Sequence, residues 1–370
     1  MQPIALARPD ITQLEIDAVV SVLKTPQLSL GPKVEEFERA FSDYCGTRFA
    51  VAVSSGTSAL HLLMRAMGVG GDDEVITTPF SFVASSNCAM YEGARPVFVD
   101  IDPDTWNIDP QHIEAAVTPR TKAIIPVDVF GQVADLDPIL EIATRRGLWV
   151  LEDSCEALGA RYKGRVAGSI ADAGVFGFYP NKQITTGEGG MITTNDAELA
   201  SLCRSMRNQG RDVAGGWLSH PRLGYNFRLS DINCALGIVQ MQRIGEILPA
   251  RARVAELYRQ RLAGEQRVTM QKISPDVQMS WFVMVVKLDE RYTQADRDRI
   301  LHALRERGIG CSNYFVPIHL QPFYMESFGY GPDDFPICEA VAARTVALPF
   351  HAGLTATDVD RVCSELGSLL

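Results

Sequence analysis

Apolar and polar positions follow two rhythms along this chain, and the change from one to the other outlines a fold. The opening segment has a helical rhythm. Thr12-Gln13-Leu14-Glu15 has the spacing of a capping box and predicts a helix whose apolar face runs through Leu14, Ile16, Val19, Val20 and Leu23. Val34, Phe37, Phe41 and Tyr44 recur at three- and four-residue spacing and predict a second helix. Short apolar runs then predict strands over 49–53, 74–77, 96–99, 123–127, 148–151, 174–178 and 191–194. Helical stretches such as 58–67 and 111–117 fall between them. Continuous apolar strands separated by helices indicate an α/β fold around a mostly parallel sheet, covered on both faces.

Past Pro249 the texture changes. A charged helix over 251–261 leads to an apolar strand over 280–288 and a helix over 294–307. This predicts a large domain over 12–249 and a smaller C-terminal α/β domain over 250–370, with residues 1–11 packed at the domain or dimer interface. The sequence has 370 residues, 46% of them hydrophobic, enough for a core of that size. A net charge of −10 argues against nucleic acid or an anionic membrane as the main partner. The cysteines at 45, 88, 155, 203, 234, 311, 338 and 363 form no CxxC pair and accompany no histidine cluster. They read as free thiols in a reducing compartment, with no metal site. Without an apolar leader or a membrane-spanning run, a cytoplasmic enzyme is expected.

The chemistry centres on Lys182. It follows Phe178-Tyr179-Pro180-Asn181, the end of an apolar stretch and a turn, and it precedes Gly187-Glu188-Gly189-Gly190. An amine at a strand-to-loop junction can form a Schiff base with a carbonyl cofactor such as pyridoxal 5'-phosphate (PLP). A solvated surface lysine is the plainer reading of such a residue, so the rest of the chain must supply partners for both ends of the cofactor. Ser54-Ser55-Gly56-Thr57-Ser58 separates a strand from a helix. There Gly56 permits close backbone approach, Thr57 and Ser58 offer hydroxyls, and the helix N-terminus offers amides to a phosphate, although an ordinary helix cap has the same look. Asp153 closes the strand before Ser154-Cys155-Glu156 and can salt-bridge a pyridinium nitrogen, unless it is a simple N-cap. Glu152 points the other way by strand alternation. In Thr77-Thr78-Pro79-Phe80-Ser81-Phe82 an aromatic can lie on a cofactor ring or simply in the core. No GxGxxG follows the first strand, which removes a dinucleotide-binding reading.

Over nearly its whole length the chain resembles the DegT/DnrJ/EryC1/StrS family of PLP-dependent sugar aminotransferases, of fold type I. The resemblance runs through Ala7-Arg8-Pro9-Asp10-Ile11, Ser29-Leu30-Gly31-Pro32, Gly56-Thr57, Glu152-Asp153, Asn181-Lys182, Gly224-Tyr225-Asn226-Phe227-Arg228 and the segment from Tyr314 to Pro322. It implies that Thr57 and Ser58 hold the phosphate, Phe82 lies near the ring, and Asp153 pairs with the pyridinium nitrogen. It places Glu156 near the ring oxygen, where the family usually has Gln, and Tyr314, His319 and Arg228 near the substrate. Asn226 would reach the phosphate of a neighbouring subunit, which makes the enzyme a homodimer with shared sites.

The implied reaction passes an amino group from a donor, L-glutamate by family precedent, through pyridoxamine 5'-phosphate (PMP) to a keto group of a nucleotide-linked deoxysugar. Besides Glu156, Leu158 stands where His is frequent and Gly177 where a Ser often touches the phosphate. Two other readings remain at this level. One is a PLP-binding sensory protein that never turns over. The other is a sugar dehydratase on the same scaffold, whose relatives carry His where this chain has Lys182.

Overall fold

The computed structural model describes residues 2–212 and 218–370. Seven strands form the main sheet: β1 (Phe49–Val53), β2 (Glu74–Thr77), β3 (Arg95–Phe98), β4 (Thr121–Ile125), β5 (Trp149–Asp153), and two more after a short ribbon, β6 (Arg161–Tyr162) and β7 (Arg165–Val166). These two are β8 (Ala173–Gly177) and β9 (Gly190–Thr194), and the order across the sheet is β1-β9-β8-β5-β4-β2-β3. The pairs β3–β2, β2–β4, β4–β5 and β5–β8 are parallel, whereas β9 runs antiparallel to β8 and β1. The predicted strands therefore stand where expected, within a residue or two at their ends.

Helix α1 (Gln13–Leu23) opens with the predicted capping box. Its expected apolar face, however, does not enter the core of this chain. Leu14, Ile16, Val20 and Leu23 are exposed, while Glu15 is fully buried. Burial pushes the Glu15 carboxyl up, but hydrogen bonds from Thr12, Arg243 and Gln240 outweigh it and hold it down at about 2. The polar side of the helix is thus anchored to the helix Asp231–Gln242 and to Arg243, and its apolar side faces outward. Helix α2 (Pro32–Cys45) behaves as its pattern predicts, seating Phe37 against Phe178 at 5.5 Å and Phe41 against Phe176 at 5.0 Å.

Past the long helix Ile244–Leu262, which crosses position 249 without a break, come β10 (Val268–Met270), β11 (Val277–Gln278), β12 (Met284–Leu288) and β13 (Thr345–Leu348). Strands β10, β12 and β13 make an antiparallel sheet covered by the helices Gln294–Glu306 and Ala356–Leu369. Ile4 belongs to that unit: it bridges to Ile309 and shares a core with Val254, Val359 and Leu366. The strand expected over 280–288 is shorter. Residues 280–283 instead cross to the large sheet, where the Ser280 amide donates to the Gly131 carbonyl at 3.0 Å. All eight cysteines are free. Among the described residues no helix is long and apolar enough to cross a membrane, and no His, Cys, Asp or Glu group could hold a metal.

Candidate active site

Strands β1, β5 and β8 end on one side of the sheet, as ligand sites in open α/β sheets require. Beyond them lies a cavity of about 460 Å³ whose wall includes Thr57, Asp153, Glu156 and Lys182 from the large unit, and Phe282 and Tyr314 from the C-terminal unit.

The turn after β1 leads into α3 (Gly56–Ala66), capped by Ser55, whose Oγ accepts from the Ser58 amide at 3.0 Å. The Ser58 hydroxyl is already engaged by those of Ser54 and Ser55, each at 2.9 Å. Thr57 lines the cavity, whereas Ser58 lines a smaller hollow beside it with His61, Tyr91 and Phe227. Two glycines let the backbones close up here. A Cβ on Gly56 would come within 2.8 Å of Cys155 Sγ, and one on Gly190 within 2.5 Å of the Ser55 carbonyl carbon.

Asp153 presents Oδ2 to the Ser85 hydroxyl at 2.7 Å and Oδ1 to the Cys155 amide at 3.3 Å. These donors fix the carboxylate, and Ser85, on α4 (Ala84–Met90), had no signal in the sequence beyond its place after Phe82. Glu152 points away, as alternation requires, and accepts from the amides of Gly168, Ile170 and Ala171 at 2.7, 2.6 and 2.6 Å. Burial nonetheless pushes its carboxyl up to about 7.

Lys182 Nζ lies 3.5 Å from Glu156 Oε1 and 4.0 Å from the centre of the Phe282 ring. The other Glu156 oxygen accepts from the Phe130 amide at 2.9 Å. Burial raises the Glu156 carboxyl and the Lys182 ammonium opposes that rise only in part. Next to the lysine, the Gln183 side-chain amide donates to the Glu156 carbonyl at 2.5 Å and the Ser280 carbonyl at 3.2 Å, which ties the lysine loop to the crossing segment.

The structure thus brings Gly56, Thr57, Phe82, Asp153, Glu156, Lys182 and Tyr314 to one cavity. Phe82 also lines it and is 64% exposed. Besides Ser58, three expected residues lie elsewhere in this chain. Asn226 is exposed and bridges to Asn208, and Arg228 donates to the Asn208 side chain at 3.1 Å. His319, expected near the substrate, is fully buried in this chain: its Nε2 is 3.0 Å from Glu339, and its ring packs edge-on against Phe335. The short helix Ile318–Leu320 is pinned under Pro79 by the Ile318 amide, which turns the imidazole into the core. Leu158, where His is frequent, is a core residue beside Phe176. Phe282, Phe315 and Asn181 also line the cavity and had been given no role in it.

The residues present fit PLP. A carboxylate locked by two donors, a lysine amine in an enclosed wall, and a helix N-terminus with a free threonine hydroxyl match its ring nitrogen, aldehyde and phosphate respectively. The model of the DegT/DnrJ/EryC1/StrS aminotransferase family matches residues 9–367. The chain belongs to that family. GDP-perosamine synthase of Caulobacter vibrioides is 43% identical over 99% of this chain and 98% of its own. Spore coat polysaccharide biosynthesis protein SpsC of Bacillus subtilis is 40% identical over 98% of this chain and 96% of its own. Among solved structures, Spr1654 of Streptococcus pneumoniae in its PMP form superimposes with a TM-score of 0.94 at 30% identity, covering 99% of this chain and 98% of that one. Helicobacter pylori PseC, an aminotransferase of pseudoaminic acid biosynthesis, gives 0.94 at 30% identity, covering 100% of both to within a percent. This family member is therefore a fold type I aminotransferase with a mostly parallel central sheet.

Proposed function

We propose that the protein uses PLP to move an amino group from L-glutamate to the keto group of a nucleotide-linked deoxysugar, in the cytoplasm, as a step of amino-sugar biosynthesis for a polysaccharide. The observation that carries this reading is the enclosure of Lys182 Nζ in the same cavity as the locked Asp153 carboxylate and the N-terminus of α3. The relationship to GDP-perosamine synthase makes a GDP-linked keto-deoxysugar the first acceptor to test.

When bound, PLP supplies an aldehyde for the amine and a ring that absorbs electrons. Thr57 and the first amides of α3 hold its phosphate. Asp153 keeps the ring nitrogen protonated, and Ser85 keeps Asp153 aimed. Lys182 Nζ would anchor the cofactor and would take and return the proton at the amino-bearing carbon. Phe282 and Phe315 exclude water on the side of the C-terminal unit. Division into a cofactor-binding unit over 12–249 and a C-terminal unit over 250–370 suits this arrangement, since each contributes one wall.

A second copy of the chain completes the site in this reading. The exposed Leu14, Ile16, Val20 and Leu23 form an apolar face of the kind obligate dimers bury, and Asn226 and Arg228 stand outside their own cavity, free to serve the partner's phosphate and substrate.

The test is spectroscopic. PLP-loaded protein mixed with L-glutamate should convert from the absorbance of the lysine-linked cofactor to that of PMP, and Lys182→Ala should abolish both the starting band and turnover. A spectrum indifferent to glutamate would favour a sensor and defeat this reading. Dehydration without amino transfer would favour the dehydratase.

A further inference from the structure

Gln183, next to Lys182, is 3% exposed, and its side-chain amide donates to two main-chain carbonyls. One belongs to Glu156, at 2.5 Å, and the other to Ser280, at 3.2 Å. The Ser280 hydroxyl stands 3.3 Å from the same nitrogen and itself donates to the Leu158 carbonyl at 2.5 Å. A buried glutamine that satisfies main-chain carbonyls is ordinarily a device of stability. Here the choice of carbonyls says more. Glu156 carries the carboxylate 3.5 Å from Lys182 Nζ, and Ser280 leads into Phe282, whose ring centre lies 4.0 Å from that nitrogen. One side chain thus sets three things against one another: the lysine backbone, its carboxylate and the ring that faces its amine.

The group suits its acceptors. An NH2 offers two hydrogens, one for each carbonyl, and brings no charge beside the amine. The acceptors are themselves held close. A Cβ on Gly131, at φ +100°, would run into the Ser280 carbonyl and lie 3.2 Å from the Glu156 carbonyl oxygen, so no side chain fits between the two main chains there. On either side of this point the lysine loop has fastenings of its own. The Lys182 amide donates to the Tyr179 carbonyl at 2.9 Å, and the Thr185 hydroxyl and Thr186 amide donate to the Phe178 carbonyl at 2.9 and 3.1 Å. Gln183 is what joins that loop to the C-terminal unit. We propose that Gln183 is the positioning residue of Lys182: its amide locks the lysine to the segment 280–283, so that the amine is aimed for proton transfer only while that segment is seated on the large sheet.

The proposal rests on the aminotransferase reading, in which Lys182 moves the proton, and deepens it. Gln183→Met keeps the length of the side chain and removes the donor. Gln183→Asn keeps the donor on a shorter arm, and it carries the comparison if the first variant does not fold. The glutamate half-reaction of the PLP-loaded proteins is followed by stopped-flow absorbance over a range of L-glutamate concentrations. Amide hydrogen exchange is followed by mass spectrometry on the cofactor-free proteins.

Gln183→Met should lower the maximal rate constant about tenfold, with the dissociation constants of PLP and glutamate within about threefold of wild type. Gln183→Asn should lie between Gln183→Met and wild type. In the exchange experiment the Lys182 and Ser280 amides should lose protection together, while the amides of β12 keep theirs. A folded variant with an unchanged rate constant, a loss confined to binding, Gln183→Asn slower than Gln183→Met, or a loosened lysine loop beside a protected Ser280 would each overturn the role of Gln183. Wild-type protein that fails to link PLP through Lys182, or to react with glutamate, would instead overturn the reading beneath it, before any variant is made.

Discussion

The ring of Phe282 faces the ammonium of Lys182 at 4.0 Å, and the two residues come from different units of the chain. The ring is held in place from behind. Arg251 is buried to 3% exposure and donates from Nε to the Trp281 carbonyl at 2.8 Å and from Nη2 to the Phe282 carbonyl at 2.6 Å. Burial lowers its guanidinium to about 10, so the fold keeps a cation there to fix two carbonyls. Phe282→Leu removes the attraction between ring and amine while keeping the side chain apolar. It should lower kcat/KM by about fivefold, the equivalent of about 1 kcal/mol. Phe282→Tyr should keep most of the activity in the same steady-state assay, and an unchanged rate in Phe282→Leu would refute the ring's role.

Glu156→Gln tests the carboxylate that departs from the family's usual residue. Burial raises the folded carboxyl above its ordinary value of 4.5. Its contribution to stability is therefore whole below that pH and is lost as pH rises through the folded value. Glutamine does not titrate. The Tm of cofactor-free Glu156→Gln should gain on wild type as pH rises above 4.5. A difference that stays flat across that range would show the carboxyl to be unperturbed.

Two glycines of the phosphate end should respond in opposite ways. A Cβ on Gly177 would lie 3.6 Å from Cys155 Sγ, an ordinary contact. Gly177→Ser can thus restore a phosphate-binding hydroxyl and should tighten PLP binding about fivefold, the worth of one net hydrogen bond. Gly190→Ala drives a methyl into the Ser55 carbonyl and should weaken both PLP binding and thermal stability. Fluorescence titration with PLP measures the first pair of effects, and thermal unfolding the last.

Sharing of sites between subunits has a mixing test. Lys182→Ala and Asn226→Ala are each expected to be inactive alone. In a hybrid dimer one site collects both substitutions and the other has neither, so an equal mixture should recover about one quarter of wild-type activity. If Asn226 served its own chain, every hybrid site would carry a defect and nothing would return.

The sequence made the sheet and much of the site legible because both depend on short-range patterns. Strands buried on both faces are apolar throughout, and Asp153, Thr57 and Lys182 each sit where such a run stops. Helix α1 shows what periodicity leaves out. It locates an apolar face at Leu14, Ile16, Val20 and Leu23 without saying what covers that face, and in this chain the buried residues are Glu15 and Val22. Phe282 was hidden for a related reason. It falls inside a run that reads as one strand, and only the crossing of 280–283 to Phe130 and Gly131 turns its ring to a lysine far away in sequence. The burial of His319 was hidden too, because a motif position says nothing of which way a ring is turned.

Ile4 lies in a core with Val254, Val359 and Leu366, and the Leu6 carbonyl accepts from the Phe350 amide at 2.8 Å. On the ribosome these early residues emerge long before their partners exist. The segments from β1 to β9 can pair while synthesis continues, but the first strand-like stretch must stay uncommitted until the closing helix has left the exit tunnel. A segment made well ahead of the C-terminal unit is thus among the last to find its place.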